Sequence, residues 1–276
     1  MRFRILVLVL VGVFLVAPLS LGLVCEVSAT YIDDDYWGFD DHGRGDVIGR
    51  DDLFGISGAE ISRVGATLVL DIFTAFAGKA DDSLFATNTE TSYGMGKGIG
   101  YGDVFLSGAW VPYGTAPHYL EDYHSNGTKW TYGFALDDRW SALGGSGTLY
   151  ALNGATNDAN ALLSGDYMEK PPSAIWRDDQ EVAVDTSDEN LTNSIVEPIN
   201  KNGTWSVGNG VVHFEIPIGG TDLVLGNEIA FHWGETCANE VIEGSFCTPE
   251  PASMLLLGSG LVGIGLFGRK KLLKRS

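Results

Sequence analysis

The chain has 276 residues, 45% of them hydrophobic and 19% charged, with a formal net charge of −19 at pH 7. Residues 1–29 carry Arg2 and Arg4 against Glu26, and residues 249–276 carry five basic residues against Glu250, so the body between them, 30–248, stands at −24. A body this acidic lacks the basic footprint that nucleic acid or an anionic lipid surface requires, which excludes both as partners of that body.

At the start, Arg2 and Arg4 precede an almost wholly aliphatic run from Ile5 to Val16, and the apolar stretch continues to Val27-Ser28-Ala29. A positive region, an apolar region and a small-residue site make a signal peptide, so residues 1–29 are predicted to pass to the general secretion machinery and be removed by signal peptidase. A retained N-terminal anchor is the alternative. Cys25 follows Gly22-Leu23-Val24. A lipidation signal would place Leu three positions before the cysteine and a small residue directly before it, so Cys25 is expected to leave with the peptide.

The next residues are dense in carboxylates: Asp33-Asp34-Asp35, Asp40-Asp41 and Asp46, interleaved with Tyr36, Trp37 and Gly38. Calcium takes six to eight oxygen ligands and favours such loops. That makes Asp33, Asp35, Asp40 and Asp46 the calcium candidates. Their spacing is not that of an EF-hand loop, and a solvated acidic strand or loop is the competing reading. No other cofactor is expected.

Residues 30–248 predict one all-β ectodomain, an antiparallel β-sandwich or jelly-roll-like fold. Helical periodicity is nearly absent, and short runs rich in β-branched and aromatic residues alternate with Gly, Asn and Asp clusters. In Thr67 to Phe76, a period of two puts Leu68, Leu70, Ile72 and Phe76 on one face. Further strands are predicted at Asp103 to Ser107, Trp130 to Leu136, Thr148 to Leu152, Val182 to Asp185, Val211 to Ile218 and Glu228 to Trp233. Turns are expected at Ser125-Asn126-Gly127, Gly144-Gly145-Ser146-Gly147, Asn202-Gly203 and Gly219-Gly220. The stretch Asp188 to Gly203 reads as a short helix or a long loop.

The body offers little catalytic chemistry. Gly55-Ile56-Ser57-Gly58-Ala59 lacks the last glycine of a nucleophile elbow. The histidines His42, His118, His124, His213 and His232 are scattered, with no His-Glu-x-x-His. The run Gly94 to Gly102 fits no phosphate-loop spacing and is expected to be a flexible surface loop. Glycoside hydrolysis needs only two carboxylates, but acidic residues are too abundant here to single out a pair. The chain is therefore expected not to be an enzyme. Trp110, Tyr113, Tyr119, Tyr123 and Trp140 could stack on sugar rings or pack in a sandwich core. Asn126, Asn190 and Asn202 head Asn-x-Thr triplets that are read as coincidental, with Asn-Gly a turn signal. Cys237 and Cys247, ten positions apart in an exported chain, are expected to form a disulfide.

The last 28 residues combine three parts. Pro249-Glu250-Pro251 is rigid and extended. An apolar run of about 17 residues, Ala252 to Gly268, sits at the short edge of what spans a bilayer as a transmembrane helix. Arg269, Lys270, Lys271, Lys274 and Arg275 then hold that end on the cytoplasmic side and leave the body outside. An ordinary single-span anchor preceded by a linker is the alternative.

The three parts, in this order, resemble the PEP-CTERM sorting tail of Gram-negative bacteria. The resemblance implies transient anchoring in the inner membrane, processing by an exosortase-type enzyme, and delivery to the cell surface or the extracellular matrix. It also implies association with exopolysaccharide or biofilm. Phe231-His232-Trp233 followed by Cys237-Ala238-Asn239-Glu240-Val241-Ile242-Glu243-Gly244 is similar to the end of many ectodomains that carry such tails. Ala238 and Glu240 stand there in place of the usual Gly and Asp. Asp46-Val47-Ile48-Gly49 and Tyr101 to Ser107 are similar to other segments of those chains. The function expected is a noncatalytic surface or matrix protein; a carbohydrate-binding module and a secreted glycoside hydrolase are the competing readings.

Overall fold

Alternation builds the fold where one side of a strand meets the core. In Thr67–Thr74, residues Leu68, Leu70 and Ile72 are fully buried while their neighbours are partly exposed, as a two-residue period dictates. The computed structural model describes residues 29–39, 43–81, 98–152, 161–167, 177–186 and 195–248. The predicted signal peptide and the predicted tail from Pro249 onward therefore lie outside the described residues. Among the described residues, no helix is long and apolar enough to cross a membrane.

In chain order the strands are β1 (Thr30–Ile32), β2 (Ile56–Val64), β3 (Thr67–Thr74), β4 (Val104–Ser107), β5 (Tyr132–Leu136), β6 (Gly144–Leu152), β7 (Ala161–Leu163), β8 (Glu181–Val184), β9 (Ile195–Gly208), β10 (Val211–Pro217), β11 (Glu228–Gly234) and β12 (Val241–Cys247). Two one-turn helices, α1 (Asp51–Phe54) and α2 (Ser164–Tyr167), interrupt them. Ten strands form one sheet in the order β1-β2-β3-β10-β9-β6-β5-β4-β11-β12, and β7 and β8 form a separate antiparallel pair. All pairings are antiparallel, so the all-β class expected from the sequence is the class observed.

The ten-stranded sheet rolls until its edges nearly meet, with β1 and β2 both reaching β12. Gly244 makes that approach feasible: a Cβ there would lie 2.6 Å from Ile32 Cγ2. One large core fills the roll, with Leu68, Leu70, Phe134, Phe214, Phe231 and Trp233 all completely or almost completely buried.

Alternation fails where strands are covered on both faces. In β11, Ile229, Phe231 and Trp233 face the main core, while Ala230 faces a second, smaller one. That second core also contains Phe105, Trp130, Ala135, Leu152, Ala161 and Val184, so β7 and β8 lie over the outside of β4, β5 and β11. His232 belongs to this outer face, its ring 5.9 Å from Phe105 and 5.8 Å from Trp130.

Three local expectations are corrected. Gly144–Gly147 and Asn202-Gly203 are not turns but lie within β6 and β9, where Gly147 pairs with Gly203. The Phe134 ring lies over both glycines, and added Cβ atoms would sit 2.5 and 2.2 Å from it. An aromatic ring thus supplies the packing that a glycine pair cannot. Within Asp188 to Gly203, the described part from Ile195 onward is strand rather than helix or loop. The run Gly94 to Gly102 is not a surface loop over its described part: Gly98 to Gly102 is buried, Tyr101 bridges Glu235, and Gly102 N–H donates to Gly234 at 2.9 Å.

Asp103 ties the two layers together. It is fully buried, and it accepts hydrogen bonds from Leu136 N–H at 2.9 Å and Val184 N–H at 2.7 Å. Arg139 approaches it to 3.1 Å and also donates to the Tyr101 carbonyl at 2.9 Å. Removing one member of a buried pair leaves the other charge uncompensated, at a cost of about 3–5 kcal/mol. Asp103→Ala is expected to lower unfolding stability by that amount in denaturant titration, and a loss under ~1 kcal/mol would contradict this role.

Candidate functional site

Of the segment 33–39 after β1, Tyr36 enters the main core, and the rest is held by the long loop between β4 and β5. Trp37 and Gly38 N–H groups donate to the His118 carbonyl at 3.2 and 3.1 Å, and Phe39 N–H donates to Asp122 at 2.7 Å. His118 Nδ1 lies 2.9 Å from the Asp35 carbonyl, and its ring stacks on Trp37 with centroids 3.7 Å apart. Between this segment, the loop and β12 lies a groove of about 330 Å³.

Tyr36, Trp110 and Tyr119 form the aromatic side of the groove, and Asp33, Asp35 and Glu243 supply carboxylates. Trp110 and Tyr119 meet edge-on at 5.6 Å, and Trp110 Nε1–H donates to Glu243 Oε2 at 3.0 Å. Ligand sites typically combine such aromatic surface with a few placed polar groups. Of the other aromatics singled out above, Tyr113 is exposed away from the groove lining. Tyr123 packs between Phe39 and His124. Trp140 donates to the Gly98 carbonyl at 2.8 Å and packs on the main core. The last two are structural.

Beneath the groove, Tyr36, Asp122, Glu181, His232 and Glu243 are each at least nine-tenths buried. His232 Nδ1 lies 3.0 Å from Glu243 Oε1, and Nε2 lies 2.8 Å from the Glu181 carbonyl. The Glu181 carbonyl can only accept, so Nε2 carries a proton, and an ionised Glu243 favours a second proton on Nδ1. Burial opposes that charge, but the Glu243 hydrogen bond and the Glu243 and Glu181 charges outweigh it and raise the His232 pKa. With both nitrogens engaged and no exposed ring surface, His232 has no free position from which to take a proton from a substrate.

Burial pushes the Glu181 carboxyl up to about 7 against the pull of His232. Asp122 is likewise raised by burial, with Glu243 adding to it. The space between Tyr36, Asp122 and Glu181 has no room for a water molecule, and Asp122 Oδ2 and Glu181 Oε1 have no hydrogen-bond partner.

The calcium candidates separate. Asp33 and Asp35 are exposed on the groove, and Asp40 lies outside the described residues. Asp46 is half-buried and meets Asp34 and Glu240, with one oxygen from each lying within 4.8 Å of the others. Asp33 and Asp35 thus do not join Asp46, because successive residues of an extended segment point to opposite sides. Near this cluster the Arg177 guanidinium donates to the carbonyls of Phe39, Gly45, Asp46 and Ala238. The expected disulfide is not formed: Cys237 and Cys247 are both free. Cys247 ends β12 opposite Glu228, while Cys237 lies beyond the other end of the hairpin, past Gly234. Six strand residues put roughly 20 Å between those ends, against a Cα separation of under ~7 Å that a disulfide needs. Asn126 serves its turn, accepting from Tyr123 N–H at 3.1 Å and donating to Glu121 at 2.9 Å.

Sequence reasoning missed Asp34, Glu181, Glu240 and Glu243 as site residues. Asp34 stands in the acidic cluster named above but not among the calcium candidates chosen from it. Glu240 and Glu243 stand in the segment similar to other ectodomain ends, but only folding shows what they meet; Glu181 carries no local signal.

Residues 248–271 match the family model described as the PEP-CTERM protein-sorting motif. That defines the class: an exported protein with a membrane-anchored C-terminal tail that an exosortase-type system processes. The chain thus carries a PEP-CTERM sorting motif at its C-terminal end, and the match says nothing of the ectodomain before it. Pro249, Glu250, Pro251 and the basic residues from Arg269 on lie outside the described residues, so their geometry adds nothing to the match. No curated protein and no solved structure matches the chain.

The raised carboxyl at Glu181 has a signed consequence. The folded state keeps a proton that the unfolded state releases above about pH 4, so stability falls as pH rises from there to about 7 and then levels off. The groups facing it are His232, Glu243 and His124, with Asp122 across the same closed space. Glu181→Gln is expected to match the parent chain near pH 5 and to exceed its unfolding stability by about 3 kcal/mol at pH 8. A difference independent of pH, read from denaturant titrations, would contradict an ionisation held back by burial.

Proposed function

We propose that the chain is a noncatalytic surface or matrix protein of a Gram-negative bacterium, and that its ectodomain binds extracellular polysaccharide through the groove of Trp110 and Tyr119, with the buried Tyr36 as its floor. The observation that carries this reading is the pairing of Trp110 with Glu243, where a large aromatic side chain is anchored by its own N–H beside two further acidic residues, Asp33 and Asp35. A sugar ring offers an apolar C–H face to stack and hydroxyls that donate to carboxylates. Aromatic residues supply large contact area at low entropic cost, because they lose few rotamers. The exported, tail-anchored topology puts this groove on the side of the membrane where polysaccharide is found.

The engaged state of His232 supports a binding role over hydrolysis. Glu243 gives one oxygen to His232 and the other to Trp110, so neither is left to act as acid or base on a glycosidic bond. The full chain in detergent, displayed to a glycan array and then titrated with the best ligand, tests the reading. Binding is expected in the micromolar to millimolar range, with Trp110→Ala weakening it at least tenfold. No binding at ~10 mM of any sugar, or binding indifferent to Trp110→Ala, would overturn it. Release of reducing sugar above a heat-killed control would overturn the noncatalytic part.

A further inference from the structure

Asp34 and Asp46 come from the connection between β1 and α1, and Glu240, some two hundred positions later, from the β11–β12 turn just before β12. Their oxygens gather within 4.8 Å. That separation is the largest that two oxygens can have while both bind one ion at about 2.4 Å. Carboxylates approach one another this closely only with a proton or a cation between them.

A second observation points to a ligand. Glu240 is 1% exposed, and neither of its carboxylate oxygens has a hydrogen-bond donor. The same holds for both oxygens of Asp34 and for Asp46 Oδ1. Asn239 Oδ1, on the residue before Glu240, is also buried and without a donor. Arg177 offsets part of the charge on Asp34 and Asp46, and Asp34 and Glu240 lie close enough to share a proton; a cation at the same point would take that proton's place and bring in Asp46 as well.

We infer that Asp34, Asp46 and Glu240 form a divalent-cation site of calcium type that joins the N-terminal segment to the β11–β12 hairpin. The donors are all oxygen, with no imidazole or thiolate among the three, which suits a hard cation rather than zinc. The irregular arrangement suits calcium, whose coordination is flexible, rather than magnesium, which demands near-ideal octahedral geometry. The backbone nearby is already held by Arg177 and by the Ile48 N–H to Asn239 carbonyl bond of 2.8 Å. The carboxylates are therefore positioned before the ion arrives. An exported protein meets calcium at high concentration, and extracellular sites bind it with Kd values on the order of 0.1–1 mM. The site does not depend on what the groove binds. It fixes the segment whose other two aspartates, Asp33 and Asp35, face that groove.

The test is titration of the full chain in detergent at pH 7.5 after EDTA treatment, followed by calorimetry and thermal melting with CaCl2 and with MgCl2. One calcium site is expected, with a rise in melting temperature of roughly 3–6 °C at ten times Kd and a much smaller response to magnesium. Glu240→Gln is expected to lose the calcium response. Asp46→Asn, at a half-buried position that folding tolerates better, is expected to weaken calcium at least tenfold. No heat and no thermal shift at 10 mM CaCl2 would overturn the site. An equal response to magnesium, or one that survives both substitutions, would also overturn it by assigning the effect to screening of the −24 body.

Discussion

The constraint on which this structure depends is that β11 and the start of β12 are covered on both faces. A strand with one wet face sends its polar side chains to water. This hairpin cannot, and it carries His232, Glu235, Glu240 and Glu243 into a closed interior. Each needs a partner from elsewhere, and meeting those needs draws the remaining layers together. Glu243 is met by the His232 ring and by Trp110. The Glu181 carbonyl, from β8, takes the other His232 proton. Asp103, one strand over, is met by Arg139 and two backbone N–H groups.

The same constraint shapes the surface. The loop that brings Trp110 to Glu243 also carries His118, and His118 receives the segment after β1. The groove exists because that segment is pinned at a distance from β12 instead of adding to it as a longer strand. Its opposite side delivers Asp34 to Glu240 and Asp46, where the inferred cation would tie the segment to the β11–β12 turn. Export and structure agree here. Calcium is abundant outside the cell, so a body of −24 that closes around it is suited to that side of the membrane.

What could be read from the sequence divides along physical lines. The tail was fully legible because its signal is linear: a rigid dipeptide pair, an apolar span and a basic end act through order along the chain, not through folding. Strands with one buried face were legible too; Thr67 to Phe76 shows its period directly. Glycine-rich strand segments were not, because Gly147 and Gly203 have turn chemistry locally and are held in the sheet by Phe134, which only pairing brings near. The sites were legible by half. The crowding of aspartates from Asp33 to Asp46 marked the region, and Trp110 and Tyr119 were among the aromatics named. Which aspartates converge depended on Glu240, some two hundred positions away. The disulfide expectation failed for the same reason, since ten residues of spacing look close until a hairpin separates its ends.

The most direct measurement is a crystal structure of the protein grown with millimolar calcium at pH 7.5, with anomalous data collected at long wavelength. The closure described here predicts an anomalous peak about 2.3–2.6 Å from oxygens of Asp34, Asp46 and Glu240. Those three oxygens in direct contact at hydrogen-bond distance, with no peak between them, would show that a shared proton and not a cation closes the roll, and would contradict it.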